Sequence, residues 1–85
     1  MSWGDRSARI DRSGPDLVWK QVADDLRADI ESGDLPAGSK LPNEFELAEI
    51  YGVARATMRT AILSLRSAGL ITVTKGRGTY VTRSG

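Results

Sequence analysis

Three glycines, Gly33, Gly52 and Gly69, partition the chain, and the stretch ahead of each one carries helical periodicity. Glycine enters the left-handed conformation at little steric cost, so it ends helices where other residues would continue them. In the first stretch Val18, Val22, Leu26 and Ile30 recur every four residues, with Trp19 and Ala23 beside them. That spacing predicts an amphipathic helix of about four turns ending at Gly33. Asp16, just after Pro15, is its expected N-cap. In the second stretch Asn43 follows Pro42 and Glu46 stands at the capping-box position, which predicts a short helix from about Glu44 to Tyr51. Leu47, Ala48 and Tyr51 are its buried residues and Gly52 its end. The third helix starts near Arg55. Its stripe is Met58, Ala61, Ile62 and Leu65, at offsets of three, four and seven, with Ala68 continuing near that face.

After Gly69, Leu70-Ile71-Thr72-Val73-Thr74 is rich in β-branched residues and reads as a strand. Lys75-Gly76-Arg77-Gly78 is a turn, and Thr79-Tyr80-Val81-Thr82 a returning strand. The connector 34–42, DLPAGSKLP, holds two prolines and a glycine, with room for a very short strand near Lys40-Leu41. The expected fold is mainly α with a small β-hairpin. Three helices plus a two-stranded wing, with a third very short strand allowed, make a winged helix-turn-helix. Residues 16–85 form that domain. Residues 1–15, MSWGDRSARIDRSGP, are polar and without apolar periodicity, which predicts a flexible N-terminal tail. The competing reading is a basic arm reaching along DNA, with Trp3 or Ile10 as a small anchor.

Composition narrows the chemistry. At 85 residues the chain holds one small domain, and it has neither cysteine nor histidine. A disulfide framework, a thiolate nucleophile, an imidazole base and the usual zinc ligands are therefore excluded. Asp24, Asp25 and Glu31 read as a solvated face without convergent donors, so no metal site, no cofactor and no catalytic residue is expected. No apolar run reaches membrane-spanning length and the first fifteen residues lack a signal-peptide core, so a cytoplasmic location, near the bacterial nucleoid, is the expectation. Net charge is only +1, but its distribution is uneven. Residues 52–85 carry Arg55, Arg59, Arg66, Lys75, Arg77 and Arg83 and no acid, whereas residues 16–51 carry nine acids against Lys20, Arg27 and Lys40. Such polarity lets one part of a small protein dock a polyanion.

The stretch GVARATMR, residues 52–59, then becomes specific. A helix that follows a tight turn can enter the major groove, where its first residues reach base edges. Arginine there can grip guanine with two bonds, and threonine can hold a phosphate or touch a thymine methyl. Arg55, Thr57 and Arg59 meet that need, and Ala56, Thr60 and Leu63 project to the exposed side. The 75–78 hairpin places Lys75 and Arg77 at a tip whose glycines allow close approach to a phosphate ridge or the minor groove. Ala54 sits where a capping Ser, Thr, Asn or Asp is expected. An ordinary helical pair with surface arginines, or a protein-interaction adaptor using Leu63, Phe45 or Trp3 as anchors, fits the same pattern.

The stretches VWKQVADDLRADIESGDLPAGSKLP (18–42), NEFELAEIYGVARATMRTAILSLRSAGLI (43–71) and KGRGTYV (75–81) together closely resemble the N-terminal DNA-binding domain of the GntR family of bacterial transcription regulators. The resemblance covers all but the tail and the last few residues. It implies a winged helix that binds palindromic operator double-stranded DNA as a homodimer, commonly as a repressor released by a small metabolite. By position it assigns DNA reading to Arg55, Thr57 and Arg59, and wing contacts to Lys75, Gly76 and Arg77, while Ala56 and Thr60, on the exposed side of the same helix, are expected to join the DNA-binding set. Asn43, Phe45 and Ala54 occupy adjoining DNA-side positions. Two of these depart from the family: Phe45 stands where many relatives carry an arginine that reaches DNA, and Ala54 replaces Ser or Thr. The family's C-terminal effector and dimerisation domain has no counterpart here, so no small-molecule effector is expected to bind these residues.

Overall fold

A computed structural model describes residues 3–82, leaving Arg83 outside the described residues. Three helices, α1 (Val18–Ser32), α2 (Glu44–Tyr51) and α3 (Arg55–Ser67), pack around one core beside a three-stranded antiparallel sheet. The strands are β1 (Lys40–Leu41), β2 (Ile71–Thr74) and β3 (Gly78–Val81), and β3 lies in the middle. Ile71 pairs with Val81 and Thr74 with Gly78, while Leu41 pairs with Thr79, so the connector before α2 is stitched to the returning strand of the hairpin. This is the winged helix-turn-helix that the sequence predicts, with the third short strand present. Among the described residues no helix is long and apolar enough to cross a membrane.

The helical stripes bury as their spacing requires. Val22, Leu26 and Ile30 from α1, Leu47 and Tyr51 from α2, and Met58, Ala61 and Leu65 from α3 are fully buried, joined by Leu35, Leu41, Ile71 and Val81 from the connector and sheet. α2 starts on the expected capping box: the Glu46 backbone N–H donates to the Asn43 side chain at 2.8 Å, and the Glu46 carboxylate accepts from the Asn43 N–H at 3.1 Å. Gly33 and Gly52 end α1 and α2 at φ of 88° and 65°. There a Cβ would be strained.

Three local expectations are corrected. The N-cap of α1 is Leu17, with no side-chain cap bond, and Asp16 lies one residue outside it. The Gln21 side chain draws the chain past that point, because its amide donates to the carbonyls of both Asp11 and Asp16. Ala68 is exposed as the C-cap of α3, because the chain leaves the helix there and turns at Gly69. The hairpin runs one residue ahead of its expected register, with Gly78 already in β3. Thr82 lies beyond the strand, where its hydroxyl donates to the Gly69 carbonyl at 2.6 Å.

The N-terminal segment differs most from its composition. Where polarity predicts a flexible tail, Ser7–Arg9 form a single 3₁₀ turn, Ile10 joins the core, and the Arg6 side chain is buried at 3% exposure. The Arg6 guanidinium lies 2.9 Å from Asp25 and 2.7 Å from Asp29 of α1, and donates to the Tyr51 hydroxyl at 3.0 Å. That hydroxyl donates in turn to Asp25 at 2.6 Å. Trp3 covers the guanidinium from 4.5 Å, within cation–π range. Asp25 is therefore no solvated acid: Arg6, Arg9 and Tyr51 all converge on it. A buried cation needs compensating charge, and here the segment finds it on α1.

Candidate nucleic-acid interface

Two short elements set the candidate surface: the first turn of α2, fixed by its capping box, and the first turn of α3, three residues past Gly52. The backbone at Ala54 is extended, at φ −65° and ψ 150°, and its carbonyl accepts from the Met58 N–H at 3.0 Å, so Ala54 is the N-cap and Arg55 the first helical residue. No side chain caps this end. Ala54→Ser supplies the missing acceptor at an exposed position. It should stabilise the domain by about 1 kcal/mol, raising the melting temperature by about 4–8 °C in thermal denaturation.

Arg55, Ala56, Arg59 and Thr60 are exposed and Thr57 is half-buried, while Met58 points into the core. The two arginines do not simply extend into solvent. Glu44, in the first turn of α2, accepts from Arg59 through both carboxylate oxygens, at 3.1 and 3.3 Å, and lies 3.6 Å from Arg55. The same carboxylate holds the Arg59 guanidinium above its ordinary pKa. Phe45 lies under Arg55, with the guanidinium carbon 5.8 Å from the ring centroid. The aromatic ring that replaces the family arginine thus rests against another arginine of the same surface. The Thr60 hydroxyl donates to the Ala56 carbonyl at 3.1 Å, which ties it to its own helix. The side-chain oxygen of Asn43 serves the cap of α2.

The wing adjoins this surface. Lys75, Gly76 and Arg77 form its exposed tip, where Gly76 takes φ of 81° and the Arg77 N–H donates to the Thr74 carbonyl at 3.0 Å. Gly78 admits a close neighbour, since a Cβ there would stand 2.8 Å from Lys40 Cε. An open groove of about 270 Å³ separates the wing from the start of α2, lined by Lys40, Asn43, Glu44, Arg77 and Thr79 among others. Through Glu44 the groove is continuous with the paired arginines. The fold therefore gathers Arg55, Arg59, Asn43, Phe45 and Arg77 around one edge.

Sequence reasoning missed Glu44 and Lys40. Glu44 was visible only as one of nine acids in the acidic part of the chain. Its position beside Arg55 and Arg59 depends on how α2 crosses α3. Charge along the chain is accordingly not charge across the surface: one carboxylate lies among the arginines. Among the described residues no cluster of acids or other ligands could hold a metal ion.

Comparison with known proteins agrees with this fold. The family described as "Bacterial regulatory proteins, gntR family" matches residues 19–81. The HTH-type transcriptional repressor NagR of Bacillus subtilis (strain 168) is 36% identical over 74 residues, which cover 87% of this chain and 30% of that protein. The chain thus spans about a third of the length of the curated relatives it matches. Among solved structures, YtrA from Sulfolobus acidocaldarius, a GntR-family transcription factor, superposes with a TM-score of 0.80 at 35% identity, covering 93% of this chain and 82% of that one. AraR(DBD) in complex with operator ORX1 gives a TM-score of 0.75 at 33% identity, covering 86% of this chain and 94% of that one. With its capped α2, its arginine-bearing α3 and its glycine-tipped wing all inside the matched span, the chain belongs to the gntR family of bacterial regulatory proteins.

Proposed function

We propose that this chain reads double-stranded DNA by sequence, as the DNA-binding module of a transcriptional regulator that represses and binds a palindromic operator as a homodimer. The observation that carries the reading is the single edge formed by the first turn of α3, the first turn of α2 and the wing, with Arg55 and Arg59 held in place by Glu44 and Phe45. Arginines fixed before binding lose less side-chain freedom on meeting base edges. The similarity to AraR(DBD), solved on operator DNA, and to NagR, whose name calls it a repressor, supports the same reading.

In this arrangement Arg55, Ala56, Thr57, Arg59 and Thr60 face the major groove, and Ala54 and Asn43 lie along its phosphate edge. Lys75, Gly76 and Arg77 meet the backbone or minor groove. Base-edge contacts carry the sequence information, and the wing cations carry the general affinity. The chemistry is binding alone, with no catalytic role for any residue.

Selection of bound fragments from random duplex DNA, followed by mobility-shift titration against salt, tests the proposal. Arg55→Ala should cost about 1–3 kcal/mol on the selected duplex and relax preference at one base position. Lys75→Ala should weaken all duplexes alike and reduce the salt slope by about one. A palindromic consensus, with a stoichiometry of two chains per duplex in solution, is expected for paired subunits. Absence of binding to every duplex at low salt rejects the DNA-reading role.

A further inference from the structure

The segment from Trp3 to Gly14 precedes the residues that match the family, yet it is fastened to the turn between α2 and α3. Three contacts converge there. The Arg6 backbone N–H donates to the Ile50 carbonyl at 2.8 Å. The Arg12 guanidinium donates to the Tyr51 carbonyl at 3.3 Å and, through the same nitrogen, to the Gly52 carbonyl. Ser7 and Arg12 also close over Gly52, where an added Cβ would stand 3.0 Å from Ser7 Cβ and 3.3 Å from the Arg12 nitrogen.

The last carbonyls of a helix lack partners within it, and a cation beside them complements the helix dipole. Arg12 fills both roles at the end of α2. Its position is set independently by the rest of the segment: Arg6 is locked beneath Trp3, Ile10 is in the core, and the Gln21 side chain holds the backbone of Asp11 in both directions. α2 is only eight residues long, too short to be stable alone, so its tilt depends on what grips its ends. Its first turn carries Glu44, which pairs with Arg55 and Arg59. A tilt of α2 therefore moves both arginines.

We propose that residues 3–14 act as a strap that positions the helix-turn-helix for DNA reading, with Arg12 as the positioning residue that clamps the Tyr51-Gly52 turn. The inference rests on the DNA-reading role proposed above. It differs from a basic arm lying on phosphates, because the Arg12 donor nitrogen is directed at protein carbonyls.

The test compares Arg12→Gln and Arg12→Lys in the full chain. Hydrogen exchange should be about tenfold faster at the Gly52 and Val53 amides in Arg12→Gln, while the amides of Gly38 and Val81, bonded between the connector and β3, stay as protected as before. On duplexes selected by the unaltered chain, Arg12→Gln should bind about tenfold more weakly with an unchanged salt slope, and Arg12→Lys should recover part of the loss. Binding to a random duplex should not change. Unaltered exchange at the turn overturns the proposal, as does faster exchange with full affinity for the selected duplex. A salt slope lower by about one makes Arg12 a phosphate contact and overturns it too. If the unaltered chain binds no duplex, DNA reading fails, while the exchange rates still decide whether the strap holds the turn.

Discussion

Replacing Arg6 with methionine is expected to destabilise the fold by about 3 kcal/mol, measured as a lower midpoint in urea denaturation. Methionine keeps much of the length and removes the charge. The side chain it replaces is 3% exposed, and its partners Asp25 and Asp29 are 22% and 15% exposed. Asp29 would remain on α1 without the cation 2.7 Å away, Asp25 would keep Arg9 but lose Arg6, and the Tyr51 hydroxyl would lose a donor. Breaking a buried pair from one side costs about 3–5 kcal/mol. The lower end applies here because the N-terminal segment can detach and let water reach the acids.

The loss should depend on pH in one direction. Burial alone would push the Asp25 carboxyl up, but the hydrogen bonds from Tyr51 and Arg9 and the nearby charges of Arg9 and Arg6 outweigh it and hold it below its ordinary value of 3.8. A depressed carboxyl stabilises the fold fully above its unfolded pKa, and that contribution is lost as pH falls through the lower, folded value. The gap between the unaltered chain and Arg6→Met should therefore be full above about pH 5 and should narrow below about pH 4. A gap that widened on acidification would contradict the ion-pair account. Tyr51 is pushed up, first by burial and then by its bond to Asp25, so its hydroxyl remains a donor across the whole range.

The second large effect is expected at Arg59. Arg59→Ala should weaken binding to the selected duplex by more than tenfold, and by more than Arg55→Ala, because it acts twice. It removes a guanidinium from the exposed side of α3, and among the described residues it leaves the Glu44 carboxylate with Arg55, at 3.6 Å, as its remaining ion-pair partner when a polyanion approaches. A double-mutant cycle separates the two terms. Glu44→Gln in the Arg59→Ala background should recover about 1 kcal/mol, since it removes the repulsion without restoring the base contact. Independent additivity of the two changes would mean that Glu44 does not act through Arg59.

The sequence by itself determined the local structure. Helix periodicity, the Asn43–Glu46 capping box and the stops at Gly33, Gly52 and Gly69 each depend on residues a few positions apart. Their outcomes are those the spacing predicts, with left-handed backbone at all three glycines. The start of α3 at Arg55 was legible even without a capping side chain, because the apolar stripe from Met58 fixes the helix phase. Asp16 was misplaced by one residue because a side chain from the next turn, Gln21, decides where the chain enters α1.

Tertiary structure alone decided the rest. Arg6 meets Asp25 across 19 positions and Tyr51 across 45, and Glu44 meets Arg59 across 15. Nothing in a polar, glycine- and serine-rich segment signals that one of its arginines will be buried. The burial is favourable only where α1 presents two acids and α2 a tyrosine at one place. Nor does any local pattern separate a solvated glutamate from one that aims two arginines. Periodicity acts through neighbours one turn away and is written along the chain. Charge compensation acts through space, and its partners exist only once the helices have packed.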